Sequence, residues 1–483
     1  MKASRQAGRW VSAFWLPLAG SWLIGLTPSA QADSLRGTVH DGSGNPIASA
    51  TVAIRTAGPK VGTASMCPSC YADCAKRTIT DAAGGYTIDV LDPTLKFSVI
   101  AVADGFSAKY TEKRVDPTAG PVDFVLTPRP DVPSNQLFRF KVVDSDGVPV
   151  EHAMFDPVGA AVASMGISYG GTERWVEPLA VSDEMGAVTI ATLEPGLVVL
   201  GELSAKGYAS VRMIVGSRAR LAEGSLSPMF NDLPTSNLRV ELAEADEPVP
   251  VVTMLRGAAI VGAVKNADGT PASGVPVQVV DSVQLAGAFM GWFDIATNAD
   301  GVYQLDNVPV GRRWLVYAMM GSEGVSSKST TDVSTDGTTI RMPDMQLQPG
   351  HRVSGRVVLN DGQPIPAGTR ISIFRDSTWD SQAVELPPDG VFWFSSVPVG
   401  ELVSLSVHVK GYRLKTDDPA AAYMRSPMTG IVDGDVAGIV VELEPGEPHP
   451  FPTGAEQDAA FDRAMEWEKQ PLSRLAVDVS ERR

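Results

Sequence analysis

Apolar and polar residues alternate in short runs along most of the chain, and clusters of Gly, Pro, Asn and Asp separate the runs. Leu35, Gly37 and Val39 lead into Gly44-Asn45-Pro46, and Ala50, Val52 and Ile54 lead out of it. A period of two on either side of a turn predicts a β-hairpin with one buried face. Copies of this stretch open three further segments, at Gly147-Val148-Pro149, Gly269-Thr270-Pro271 and Gly362-Gln363-Pro364. Gly supplies a positive φ and Pro removes a ladder donor, so the motif fixes where each first strand turns.

A second landmark follows in each copy. Thr80-Asp81, Ser182-Asp183, Thr297-Asn298 and Leu386-Pro387 precede the turn glycines Gly84, Gly186, Gly301 and Gly390, and each glycine leads into an alternating strand. Later come a Gly-aromatic turn, at Gly105-Phe106, Gly207-Tyr208 and Gly411-Tyr412, and a closing strand at Val122–Leu126, Leu238–Leu242, Met345–Leu347 or Ile439–Leu443. Short strands with regular turns over about a hundred residues are the pattern of a small β-sandwich. The fold expected is all-β, with four tandem antiparallel sandwiches over 33–128, 134–247, 254–348 and 350–446. Short Pro-containing linkers, such as Glu244 to Val251, predict an elongated rod.

The G-x-P turn, T-D-x-x-G-x-Y and the later K-G-Y turn together resemble the carboxypeptidase regulatory-like domain, within the transthyretin-like, carbohydrate-binding-like sandwiches. The resemblance runs over residues 34–446 and is strongest in the first and third copies; the second has Val188 for the aromatic, and the fourth has Leu386-Pro387 for Thr-Asp. It implies a non-catalytic accessory, adhesion or sugar-contacting module.

Two terminal segments stand outside the repeats. In residues 1–32, Lys2, Arg5 and Arg9 precede an apolar run and Ala30-Gln31-Ala32, the pattern of a signal peptide, so an exported protein is expected: periplasmic, cell-surface or secreted. No later stretch is apolar enough for a membrane span in the mature chain. Residues 447–483 predict a helical tail, with Thr453 and Glu456 as a capping box and Phe461, Met465, Leu472, Leu475 and Val479 near one face. Such a tail either packs back on the fourth sandwich or engages a partner.

A net charge of -16 without a Lys/Arg stripe argues against nucleic acid. The three cysteines, Cys67, Cys70 and Cys74, share one loop of the first copy; in an oxidising compartment one disulfide leaves one thiol, for a free, metal-bound or intermolecular fate. Tyr71 stands where a c-type haem motif needs His, and a zinc site lacks a fourth ligand in the spacing. Gly166-Ile167-Ser168-Tyr169-Gly170 matches the nucleophile elbow, but in an all-β setting with its copy's only His upstream, at His152. Acidic turns such as Asp144-Ser145-Asp146-Gly147 resemble fragments of calcium loops without the distal Glu. No catalytic residue, metal or cofactor is therefore expected.

Aromatic residues in the middle loops are the candidates for recognition. Trp175 and Trp379 each lie 11 residues before their turn glycine, and Trp292, flanked by Phe289 and Phe293, lies nine before Gly301. Equivalent placement suits either a shared core residue or a surface platform for a sugar ring. The expected function is binding or scaffolding, with a polysaccharide or a cell-envelope protein as partner.

Overall fold

The computed structural model describes residues 33–60, 71, 73–74, 76–161, 168–169, 175–217, 221, 238–242, 248–282, 291–320, 324–375, 378, 380–416, 428–450, 455–467 and 469–476. The N-terminal segment 1–32 lies outside them.

In the first repeat, β1 (Asp33–Asp41) is bordered on both sides, antiparallel by β4 (Gly85–Leu91) and parallel by β7 (Phe124–Leu126). The opposing sheet orders β3 (Arg77–Ile79), β2 (Thr51–Pro59), β5 (Leu95–Val102) and β6 (Lys109–Tyr110). Thus β1 and β2 lie in different sheets, and the expected hairpin is a corner. Both edges of β1 are occupied, and Ser49, at φ 58°, swings the chain across. Leu35, Val39, Val52, Ile54, Phe97 and Val99, none of them exposed, fill the space between the sheets. Each contributes about 2 kcal/mol by leaving water.

Three more pairs of sheets repeat this order. Their central first strands are β8 (Leu137–Asp144), β17 (Ala258–Lys265) and β25 (His351–Leu359), each paired antiparallel with the strand after the turn glycine and parallel with a closing strand. The sheets are therefore mixed rather than wholly antiparallel. In the second repeat the closing strand is β16 (Val251–Met254), whose Val252 and Met254 are fully buried in that core. Leu238–Leu242, expected to close it, instead pairs parallel with Val211–Ser217 in the other sheet. The Pro-flanked stretch expected to be a linker thus runs into a strand.

Neighbouring sandwiches also touch, because the outer face of the first one's second sheet is apolar and is covered. Ala53, Ile100 and Val102 of the first sandwich pack against Met154 and Leu179 of the second. Arg55 pairs there with Asp156, and Arg77 Nη1 donates to Ser204 Oγ at 2.9 Å. Between the second and third, the Arg256 guanidinium stacks 4.7 Å from the Tyr208 ring. Met320 and Val325 of the third join the core cluster of the fourth.

The tail divides in two. A helix, α1 (Ala455–Trp467), is followed by a 3-10 turn at Leu472–Leu475. Leu472 is fully buried in the fourth core and Leu475 packs on it, whereas Met465 is 39% exposed. Pro471, which the sequence places as an interruption of the apolar face, divides the tail, and the part beyond it docks. No helix among the described residues is long and apolar enough to cross a membrane.

Candidate functional site

Turn chemistry explains the motifs in the first three sandwiches. Asp81 Oδ1 accepts from the Ala83 and Gly85 amides at 2.9 and 2.8 Å, and Asp183 and Asn298 repeat this with Met185 and Ala187, and with Asp300 and Val302. At the first turns, Asp41 accepts from Ser43 and Asn45, and Asp144 from Asp146 and Val148. These side-chain oxygens close their own turns, which accounts for the acidic residues without a cation. Among the described residues no cluster of three or more His, Cys, Asp or Glu could hold a metal.

The residue before each Asp or Asn is a staple. Thr80 Oγ1 donates to the Ile47 carbonyl at 2.7 Å and accepts from the Ala50 amide at 2.8 Å. Ser182 does the same with Val150 and Ala153, and Thr297 with Ala272 and Val275. One hydroxyl thereby satisfies two backbone groups at the corner. The amide following each G-x-P proline donates back to the first strand, from Ile47 to Val39, Val150 to Val142 and Ala272 to Val264.

The fourth sandwich departs from this arrangement while keeping the frame. A Cβ on Gly390 would meet the Val357 carbonyl oxygen at 2.0 Å, as one on Gly84, Gly186 or Gly301 would meet the corresponding first-strand oxygen. Leu386 occupies the staple position, its amide bonded to the Thr369 carbonyl, but it has no hydroxyl to give. The Ile365 amide turns instead to the Pro388 carbonyl, at 3.0 Å. Beside this corner lies an apolar groove of about 620 Å³ lined by Ile365, Val384, Leu386, Pro387, Phe392 and Trp393, with Glu385 also contributing to its wall.

Trp393 dominates one side. It lies in β28 (Val391–Val397), where Phe392 and Phe394 point into the core and the intervening Trp393 is 55% exposed. The Arg352 guanidinium lies 5.6 Å from its ring centroid, a cation–π contact that steadies the ring. An exposed indole beside a polar rim and an apolar hollow is suited to stacking the C–H face of a ring-shaped polar ligand.

Of the aromatic residues singled out in the sequence, Trp175 is the one whose side chain lies among the described residues, and it does not line this groove. Trp175 is half-buried and packs against the core of the second sandwich. Trp292 and Phe293 belong to β19 (Gly291–Ala296), with side chains outside the described residues, as are Phe289, Trp379, Cys67 and Cys70. Cys74 packs half-buried on the first core beside Tyr71, and burial pushes its thiol up to about 11, away from thiolate chemistry at neutral pH. Ser168 and Tyr169 form an edge strand antiparallel to Met154–Ala161, not the strand-to-helix bend a nucleophile elbow needs. Trp393 was missed, although its signal was available: a third aromatic between two inward phenylalanines must face outward.

Among solved structures, the chain is similar to the Bacillus anthracis TIE protein, with 10% identity, 82% of this chain and 68% of that one covered, and a TM-score of 0.17. A Streptococcal ancillary pilin has 12% identity over 65% of this chain and 99% of its own, with a TM-score of 0.19. For the shaft pilin SpaA of Lactobacillus rhamnosus GG the identity is 9%, the coverage 40% and 100%, and the TM-score 0.18. No curated protein matches the chain. Residues 34–127, the first sandwich, match the carboxypeptidase regulatory-like domain. Residues 34–127 thus form a carboxypeptidase regulatory-like domain, and three sandwiches built on the same central strand pairings follow it.

Proposed function

We propose that the protein is an exported, non-catalytic scaffold that binds carbohydrate through its fourth sandwich. The export reading rests on the basic, apolar and small-residue order of residues 1–32. The binding reading is carried by one observation, the exposed Trp393 beside the groove that replaces the hydroxyl staple of the other three sandwiches. A pyranose stacks its apolar face on the indole, while Arg352 and Glu385 supply donors and acceptors to its hydroxyls. The other sandwiches hold this module in a fixed position, and a polymeric ligand gains from repeated weak contacts.

The test is retention of residues 33–483 in affinity gels cast with a panel of polysaccharides. Retention by at least one polymer, weakened at least about tenfold in Trp393→Ala, is expected for a central aromatic contact. Absence of retention across the panel, or equal retention by Trp393→Ala, would sink the reading.

A further inference from the structure

We infer that the third and fourth sandwiches are held as one body by a buried charge cluster that tightens in mild acid, with Asp380 as the group that takes up the proton. The inference is independent of any ligand.

The cluster crosses the junction at four points. Both Asp380 oxygens accept the Met320 amide of the third sandwich, at 2.9 and 3.0 Å. Arg375, at the end of β26 (Arg370–Arg375), donates from Nη2 to the Ser326 carbonyl at 2.7 Å, and its guanidinium lies 5.3 Å from the Tyr317 ring. The side chains of Arg375 and Asp380 have no exposed surface.

Two carboxylates share this guanidinium unequally. Glu401 accepts from both Nε and Nη2, and Lys328 Nζ stands 3.1 Å from it as a second cation. Asp380 meets the guanidinium only once, 3.3 Å from Nη1. A carboxylate without solvent and with one long ionic contact is the under-compensated anion of the pair. Burial raises Asp380 to about 6, against the opposing charge of Arg375. At Glu401 burial also acts upward, but the hydrogen bond and charge of Arg375 outweigh it and hold the carboxyl below its ordinary range. Among the described residues, the charged groups acting on Asp380 are Arg375 and Glu401 from its own sandwich; from the third, Lys328 contacts Glu401 and Tyr317 lies against Arg375.

The sign follows from linkage. Separating the sandwiches returns Asp380 to water and to its ordinary value of 3.8, so the closed junction binds the proton more tightly. Closure therefore strengthens as pH falls from neutral toward 5 and weakens as pH rises through about 6. The gain is complete once pH falls below 3.8, where the separated Asp380 binds the proton as well.

Hydrogen–deuterium exchange at the Met320 amide of the full exported chain, corrected for the intrinsic pH dependence, reads this directly. Protection about tenfold greater at about pH 5 than at about pH 7.5 is expected from the two proton affinities. Asp380→Asn should flatten the profile. Glu401→Gln releases Arg375 toward Asp380, so it should shift the uptake to lower pH and shrink the difference, which covers the case where Asp380→Asn fails to fold. A flat wild-type profile, or a slope unchanged in either folded variant, overturns the inference.

Discussion

The third and fourth sandwiches meet the same requirement at the same corner with opposite chemistry. In the third, Thr297 bonds two backbone groups through one buried hydroxyl. In the fourth, Leu386 fills the position with an apolar side chain, the Ile365 amide finds the Pro388 carbonyl, and a groove opens beside Trp393. The turn glycine is common to both, because each leaves room only for a hydrogen under a backbone oxygen. What is shared specifies the frame, and what differs is free to serve binding.

Substitution of the shared glycines should have the largest effect and should not distinguish the two sandwiches. Gly301→Ala and Gly390→Ala each place a methyl against a carbonyl oxygen at a left-handed φ of 72° and 74°. Each should cost about 3 kcal/mol or more in urea unfolding. A tolerated Gly390→Ala would separate the fourth frame from the others.

The staple position should then distinguish them. Leu386→Ala should cost about 2–3 kcal/mol through lost apolar burial. Thr297→Val keeps the shape but leaves the Val275 amide and Ala272 carbonyl unpaired, and should cost about 2 kcal/mol. Equal stability of Thr297→Val and wild type would show that the hydroxyl holds nothing.

A smaller effect of opposite sign is expected at the end of the strand after each turn glycine. Val90, Asn307 and Ser396 occupy matching positions at φ near 60°, where the strand bulges against its partner. Val90 is β-branched and 68% exposed, so its side chain bears the strain without compensating burial. Val90→Asn, the residue of the third sandwich, should stabilise by about 1 kcal/mol. A lowered melting temperature would contradict this account of the bulge.

The sequence disclosed the frame because its signals are local. Glycines that need a positive φ and Asp or Asn that accept from nearby amides fall at fixed spacings, so the repeats could be counted before any contact was known. Partnerships between distant segments could not be read this way. Pro248 and Pro250 suggested a linker, yet Val251–Met254 pairs with Leu137–Asp144, across more than a hundred residues. Alternation predicted Val52 and Ile54 inside, but not that the other face, with Ala53, would be covered by a neighbouring sandwich. No local pattern marks Arg375 and Asp380, and only the junction with Met320 and Ser326 makes them a buried cluster.

The central claim is that departure from the Thr-Asp motif made the fourth sandwich the binding unit. Restoring that motif, as Leu386→Thr with Pro387→Asp, tests it in a calorimetric titration with an oligosaccharide of the retained polymer. The account predicts binding at least about tenfold weaker than wild type while Trp393 remains in place, with the melting transition preserved. An unchanged dissociation constant in a folded double variant would contradict it.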